Sequence, residues 1–338
     1  MTIAALASVV LAAGGVLAEA SGAPNAAQQT QAPAQARRTP TPHVVAISVD
    51  GLNPKALQIL GSQLPSINGL IRSGRSTMNA RTMVERTITL PNHTSMVTGK
   101  RILGPSGHGV SANRTQPDGT TLLSLTGRMS NSIFTQVKAG GGESALFAAK
   151  KKFNLWTSSW SSAFAKTCTT DSLNQCPAEA ANYLRSNDPD FTFVHIADAD
   201  RAGHASGFLS STYLQAVKNA DTRVGQVLDA IKANPSLTDS TYVILTSDHG
   251  GNGRRGHSKV KDRANYTVPF VVDGPGVTAG SELYSINPWA KNPGRSRPGY
   301  IGRQPIRNGY LANLAAKLLN LAPIPGSNQN FAQLLAVK

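Results

Sequence analysis

The sequence predicts an α/β domain with a mostly parallel central sheet and helices on both faces, and three observations predict it. Several runs are β-branched and continuously apolar, the pattern of strands buried on both sheet faces. These runs alternate with segments of helical periodicity, as layered α/β architectures require. Three of the strand runs also end in an aspartate, at the carboxyl ends of strands, outside which open α/β folds place their chemistry.

Taken in order, the chain begins with an apolar segment, Ile3 to Leu17, followed by Ala18-Glu19-Ala20. Residues 1–20 therefore read as an export signal, although no Lys or Arg precedes the apolar run. The run is too short and too rich in Ala and Gly for a membrane span, so the mature protein is expected to be secreted or extracytoplasmic. Residues 21–42 are rich in Pro, Ala and Gln without periodicity, and are predicted to be a disordered linker. A single catalytic domain is expected over 43–338. Its first strand is His43 to Val49, ending in Asp50-Gly51, after which Asn53-Pro54 offers a helix cap and a first-turn proline. Pro91 and Gly99 bracket a short helix. Phe191 to Ile196 is a strand running into Ala197-Asp198-Ala199-Asp200, and Thr241 to Thr246 another, running into Ser247-Asp248-His249-Gly250. Between them Leu214, Val217, Val224, Val227, Leu228 and Ile231 recur at helical spacing. Tyr266 to Val272 reads as a fourth strand and Leu311 to Leu321 as an apolar helix.

Composition bounds the function. With 40% hydrophobic and 15% charged residues, the chain has material for a core, which excludes disorder of the whole. Lys and Arg number 33 against 18 Asp and Glu, a net charge of +15 that favours anionic partners without choosing among them. A dedicated nucleic-acid role is not required by it. The two cysteines, Cys168 and Cys176, are expected to form a small loop-closing disulfide; neither has a second Cys or a His at metal-ligand spacing.

The strand ends carry the chemistry. An Asp-Gly pair alone is ordinary turn chemistry, but Asp50, Asp200 with His204, and Asp248 with His249 would converge on one rim. His257 follows eight residues after His249. Six oxygen and imidazole donors suit zinc, three for each of two ions with positions open for substrate. Thr89, just before Pro91, would lie at a helix N-terminus, where the dipole and free N–H groups stabilise negative charge. On its own Thr89 fits a helix cap equally well.

Four blocks in order, Ser48-Val49-Asp50-Gly51, Thr89-Leu90-Pro91-Asn92-His93 with Thr98-Gly99, Asp200-Arg201-Ala202-Gly203-His204 and Ser247-Asp248-His249-Gly250, resemble the nucleotide pyrophosphatase/phosphodiesterase branch of the alkaline-phosphatase superfamily. The resemblance implies an alkaline-phosphatase-like fold and a phosphoesterase with two divalent ions, most consistent with zinc, about 4 Å apart. It assigns Asp200, His204 and His257 to one ion and Asp50, Asp248 and His249 to the other. Thr89 becomes the nucleophile, passing through a covalent phosphothreonine. The stretch His108-Gly109-Val110-Ser111-Ala112-Asn113 matches the family segment whose Asn contacts a non-bridging phosphate oxygen, which nominates Asn113. Asn92 and His93 are read as shaping the turn, and His43, His108 and His195 as structural.

One departure bears on substrate. Only Gly250 to Gly256 separates Asp248-His249 from His257, where nucleotide-hydrolysing members carry a long insertion, so nucleotide specificity does not carry over. A sulfatase reading lacks a cysteine after the first strand. Residues 114–180 would hold the specificity elements. There Lys150 or Lys152 would meet the additional oxygen of a phosphomonoester, or else form a solvated surface with Lys151; Trp156 and Trp160 are expected in the core. A diesterase is the leading expectation, a monoesterase on the same site the alternative, and a non-catalytic metal-dependent anion-binding protein the third. The substrate would be a small phosphate ester, with no obligate nucleic acid.

Overall fold

The computed structural model describes residues 41–338. The export signal and nearly all of the linker lie outside the described residues. Residues 40–338 cluster as one compact unit around a seven-stranded sheet. Its strands are β1 (His43–Val49), β2 (Arg75–Arg81), β3 (Ser144–Ala148), β4 (Phe164–Thr169), β5 (Phe191–Ile196), β6 (Thr241–Thr246) and β7 (Thr267–Asp273), in the order β2-β7-β6-β1-β5-β3-β4. The five strands from β6 to β4 run parallel, while β7 is antiparallel to both β6 and β2. The expected strand over 266–272 thus exists one residue later, as an antiparallel member.

Strand alternation divides the core into two layers. Val44, Ala46, Leu146, Phe191, Phe193 and Ile244 face one side, under the helices Thr89–Thr98 and Tyr310–Leu318. Val45, Ile47, Val49, Phe147, Val194 and Leu245 face the other, under the helices Pro54–Leu60, Gln175–Ser186 and Ser211–Ala233. Because β1 and β5 are covered on both faces, every one of their residues is buried, which is why they read as unbroken apolar runs. Asn53 caps the helix Pro54–Leu60 by accepting from Lys55 N–H, with Pro54 at the first position. Cys168 in β4 and Cys176 in the helix Gln175–Ser186 are bonded, with Cα atoms 5.5 Å apart. Trp156 and Trp160 are buried, their indole N–H groups donating to Thr94 Oγ1 and the Ser130 carbonyl.

Candidate active site

Four neighbouring strand ends build one crevice. The central trio β6, β1 and β5 releases Asp248-His249, Asp50 and, through the helix Asp198–Ser206, Asp200 and His204. The fourth, β3, releases Lys150 and Lys152. Close approach of these turns needs Gly51: its φ is +71°, and a Cβ there would sit 3.1 Å from Asp200 Cα.

The six metal candidates gather there. Asp200, His249 and His257 form one group and Asp50, Asp248 and His249 another, each with its ligand atoms within 4.8 Å of one another. His249 thus stands between the two groups. His204, half exposed, borders the first, with Nε2 3.1 Å from His257 Nε2 and 3.4 Å from Asp200 Oδ1. Two features fit a cation pair. Each histidine donates Nδ1–H to a backbone carbonyl, His204 to Arg255, His249 to Gly250 and His257 to Thr87, which leaves Nε2 for the site. Each carboxylate also keeps one buried oxygen without a hydrogen-bond partner among the described residues, namely Asp50 Oδ1, Asp200 Oδ1 and Asp248 Oδ2, and His249 Nε2 is likewise unpartnered. Buried polar atoms of this kind call for a partner, and a divalent ion would supply it.

The electrostatics are those of crowded buried charge. Burial would raise Asp50, but the Lys150 ammonium, the hydrogen bond from His195 and the nearby His249 hold it well below the usual carboxylate range. For Asp248, burial and the Asp50 charge outweigh nearby His249 and Lys150 and push it up to about 7. His249 is raised to about 9, the carboxylates outweighing burial, whereas burial and neighbouring His249 lower His257 to about 3.

Thr89 is the first residue of its helix, and Ile88, the capping position, has no side-chain cap. The Thr89 hydroxyl is therefore not spent on capping; Lys150 Nζ approaches it at 3.4 Å. Asn113 Oδ1 accepts from Leu90 N–H at the same helix end (2.9 Å) and from Lys152 Nζ (3.1 Å). Lys150 is buried, with Nζ 2.6 Å from both Asp50 Oδ2 and Asp200 Oδ2. Lys151 is exposed and Lys152 partly buried, so the triplet is not a uniformly solvated surface.

The remaining histidines divide. His43 donates to the Pro189 carbonyl at the opposite end of β1 from the crevice, and His108 bonds Ser95 Oγ and accepts from Val110 N–H, joining the helix Thr89–Thr98 to the segment that leads to Asn113. Asn92 accepts from Met83 N–H and donates to the Arg86 carbonyl, holding the approach to Thr89. His93 lies inside the helix and bonds the Thr89 carbonyl and Ser48 Oγ. His195 corrects the sequence reading, which gave it no company at the site: its Nε2 lies 2.8 Å from Asp50 Oδ2. The signal available for it was a single histidine inside a fully buried strand, where an imidazole needs a partner.

The sequence and the fold have counterparts among known proteins. The family profile described as Type I phosphodiesterase / nucleotide pyrophosphatase matches residues 44–131 and 147–265. The chain is 27% identical over 222 residues to human ectonucleotide pyrophosphatase/phosphodiesterase family member 1, covering 62% of this chain and 24% of that one. It is 26% identical over 236 residues to venom phosphodiesterase 2 of Crotalus adamanteus, covering 65% and 28%. It thus spans about a quarter of the length of these curated relatives. Among solved structures, murine ectonucleotide pyrophosphatase/phosphodiesterase 5 in complex with AMP superposes with TM-score 0.61 at 16% identity, over 87% of this chain and 100% of that one. A 2-O GAG sulfatase also gives 0.61, at 15% identity over 88% and 75%, a likeness of fold. With its sequence blocks in order and a profile match over most of the chain, the protein belongs to the type I phosphodiesterase/nucleotide pyrophosphatase family.

Proposed function

We propose that the chain is a metal-dependent phosphoric ester hydrolase working through a covalent phosphothreonine on Thr89. The observation that carries this reading is the convergence of three imidazole Nε2 atoms and three unpartnered carboxylate oxygens beside the Thr89 helix end. Asp200, His204 and His257 would hold one divalent ion and Asp50, Asp248 and His249 the other; their oxygen and nitrogen donors suit zinc. When bound, such ions supply Lewis-acid stabilisation of the attacking and leaving oxygens.

The chain's own groups then do the following. Thr89 Oγ1 attacks phosphorus as the bond to the leaving oxygen breaks. Water next attacks the phosphothreonine, giving up a proton as Thr89 Oγ1 takes one back, and releases a phosphate monoester from a diester substrate or inorganic phosphate from a monoester. The helix dipole at this end stabilises the phosphoryl charge. Asn113, anchored through Oδ1 on Leu90 N–H, is left with its amide N–H₂ for a non-bridging oxygen. The murine structure is described as an inactive Thr→Ala form, which supports a threonine as the group that turnover needs. The names of the relatives, ectoenzymes and venom enzymes, support export through residues 1–20, with 43–338 as the catalytic domain.

Family membership favours a diester substrate. A specific observation favours a monoester: Lys150 and Lys152 both reach the site, one to Thr89 and the other to Asn113. Two ammonium groups there match the extra charge of a dianionic phosphate. The test is hydrolysis of bis(p-nitrophenyl) phosphate against p-nitrophenyl phosphate by the zinc-loaded chain, with Thr89→Ala alongside. Thr89→Ala is expected to lower kcat at least about 10³-fold, the scale seen for loss of a nucleophile. Preference for the diester supports the phosphodiesterase; preference for the monoester, lost in Lys152→Ala, supports the second reading. Zinc binding with no turnover of either ester would favour an anion-binding protein.

A further inference from the structure

We infer that His195 is a positioning residue of the metal centre: its ring N–H fixes Asp50 so that one carboxylate oxygen is committed to the protein and the other presented to the ion. The inference rests on the two-metal reading above. His195 lies in β5 in register with Ser48 of β1, two residues before Asp50, and is fully buried. Its Nε2 is 2.8 Å from Asp50 Oδ2, and since a carboxylate accepts, Nε2 carries the hydrogen. Its Nδ1 has no partner among the described residues. The rings of Phe153 and His93 flank it, at centroid distances of 4.7 and 4.9 Å.

A buried nitrogen without a partner is unfavourable, and an apolar ring would fill this aromatic pocket without one. The bond to Asp50 is what the imidazole adds. It divides the carboxylate: Oδ2 is occupied, while Oδ1 remains unpartnered 3.4 Å from His249 Nε2. Asp248 is divided in the same way by a neutral donor, with Oδ1 accepting from Gly51 N–H and Oδ2 left over. Lys150 also touches Asp50 Oδ2, but its flexible stem is shared with Asp200 and Thr89. Imidazole, walled by rings, is the rigid donor. Both ligands of the Asp50–Asp248–His249 group that are carboxylates are thereby oriented before an ion arrives.

The experiment compares the full chain with His195→Gln, His195→Asn and His195→Phe, reading zinc stoichiometry and affinity by equilibrium dialysis and melting temperature in EDTA. The amide nitrogen of glutamine reaches the Nε2 position, whereas that of asparagine reaches only Nδ1. Wild type and His195→Gln are expected to hold two ions within a few-fold of the same affinity. His195→Asn and His195→Phe are expected to bind one of the two about 10–100-fold more weakly, the usual effect of removing an outer-shell partner. With the weaker ion saturated, kcat should fall while KM holds. Two ions at wild-type affinity in His195→Asn would overturn the inference, and that variant decides the matter if His195→Phe fails to fold. A wild-type chain that takes up no zinc would instead overturn the two-metal reading and this inference with it.

Discussion

His249 Nε2 lies 3.2 Å from Asp248 Oδ2 and 3.4 Å from Asp50 Oδ1, and these carboxylates, against the opposing effect of burial, raise its pKa to about 9. A metal-bound imidazole needs that nitrogen's lone pair, so zinc must expel the proton. Zinc titration at pH 7 in buffers of different ionisation heat is expected to release about one proton from His249. Apparent affinity should rise roughly tenfold per pH unit from pH 7 toward 9; a flat profile would remove His249 from the ligand set. The linkage for the metal-free chain has the opposite sign. A raised histidine pKa contributes stability that is present in full below the unfolded value of about 6.5 and is lost as pH climbs through about 9. Asp248, raised to about 7, acts the same way at lower pH. Melting temperature in EDTA should therefore fall between pH 7 and 10, and zinc should reverse the loss.

Among the elements, the helix Thr89–Thr98 combines signals that sequence gives with one it does not. Gly99 ends it in the left-handed region, φ 62°, with its N–H bonded to the Ser95 carbonyl, as expected for a glycine past a helix end. The start lies two residues before Pro91, because a proline in the first turn gives up only an N–H that has no helical partner. Gly99→Ala would suffer the left-handed backbone, costing about 1–2 kcal/mol, and its Cβ would sit 2.3 Å from Ser327 Oγ. A loss of at least that size in urea unfolding is expected; an unchanged midpoint would contradict the cap. The bond between Cys168 and Cys176 closes a short loop between β4 and the next helix. Replacing both by Ala is expected to cost roughly 2.5 kcal/mol by loop-closure entropy. Zinc stoichiometry should not change, since neither cysteine is among the candidate ligands.

For the whole molecule, the net charge is +15, and the proposed substrate is an anion. Long-range attraction of this kind speeds encounter and is screened by salt. For a charged phosphate ester, kcat/KM is expected to fall severalfold between 50 and 500 mM NaCl, with kcat nearly constant. A kcat that falls in parallel would place the salt effect on the bound state instead.

The central strands, the three strand-end aspartates, the histidine ligand candidates and the helix that begins at Thr89 were legible because each is local. A strand covered on both faces must be apolar throughout, and the polar residue that ends it stands out. The strands β2 and β4 were not legible, because they are the two edges of the sheet. With a partner on one side only and half-exposed residues along their length, they read as the mixed sequences RSTMNAR and FAKTCT. The short strand β3 went with them, and so did the meaning of the lysines after it. Sequence offered Lys150 as a surface charge or a substrate contact; only pairing of β3 beside β5 puts its ammonium 2.6 Å from two carboxylates. His195 follows the same rule. Its type and its burial in a strand are sequence properties, but its bond to Asp50 comes from the register of β5 on β1. Which residue types are present, and which local element each favours, was determined by the sequence alone. Which of them share a charge, a proton or an ion was decided by contacts across 45 to 197 positions, distances over which only the closed fold sets the geometry.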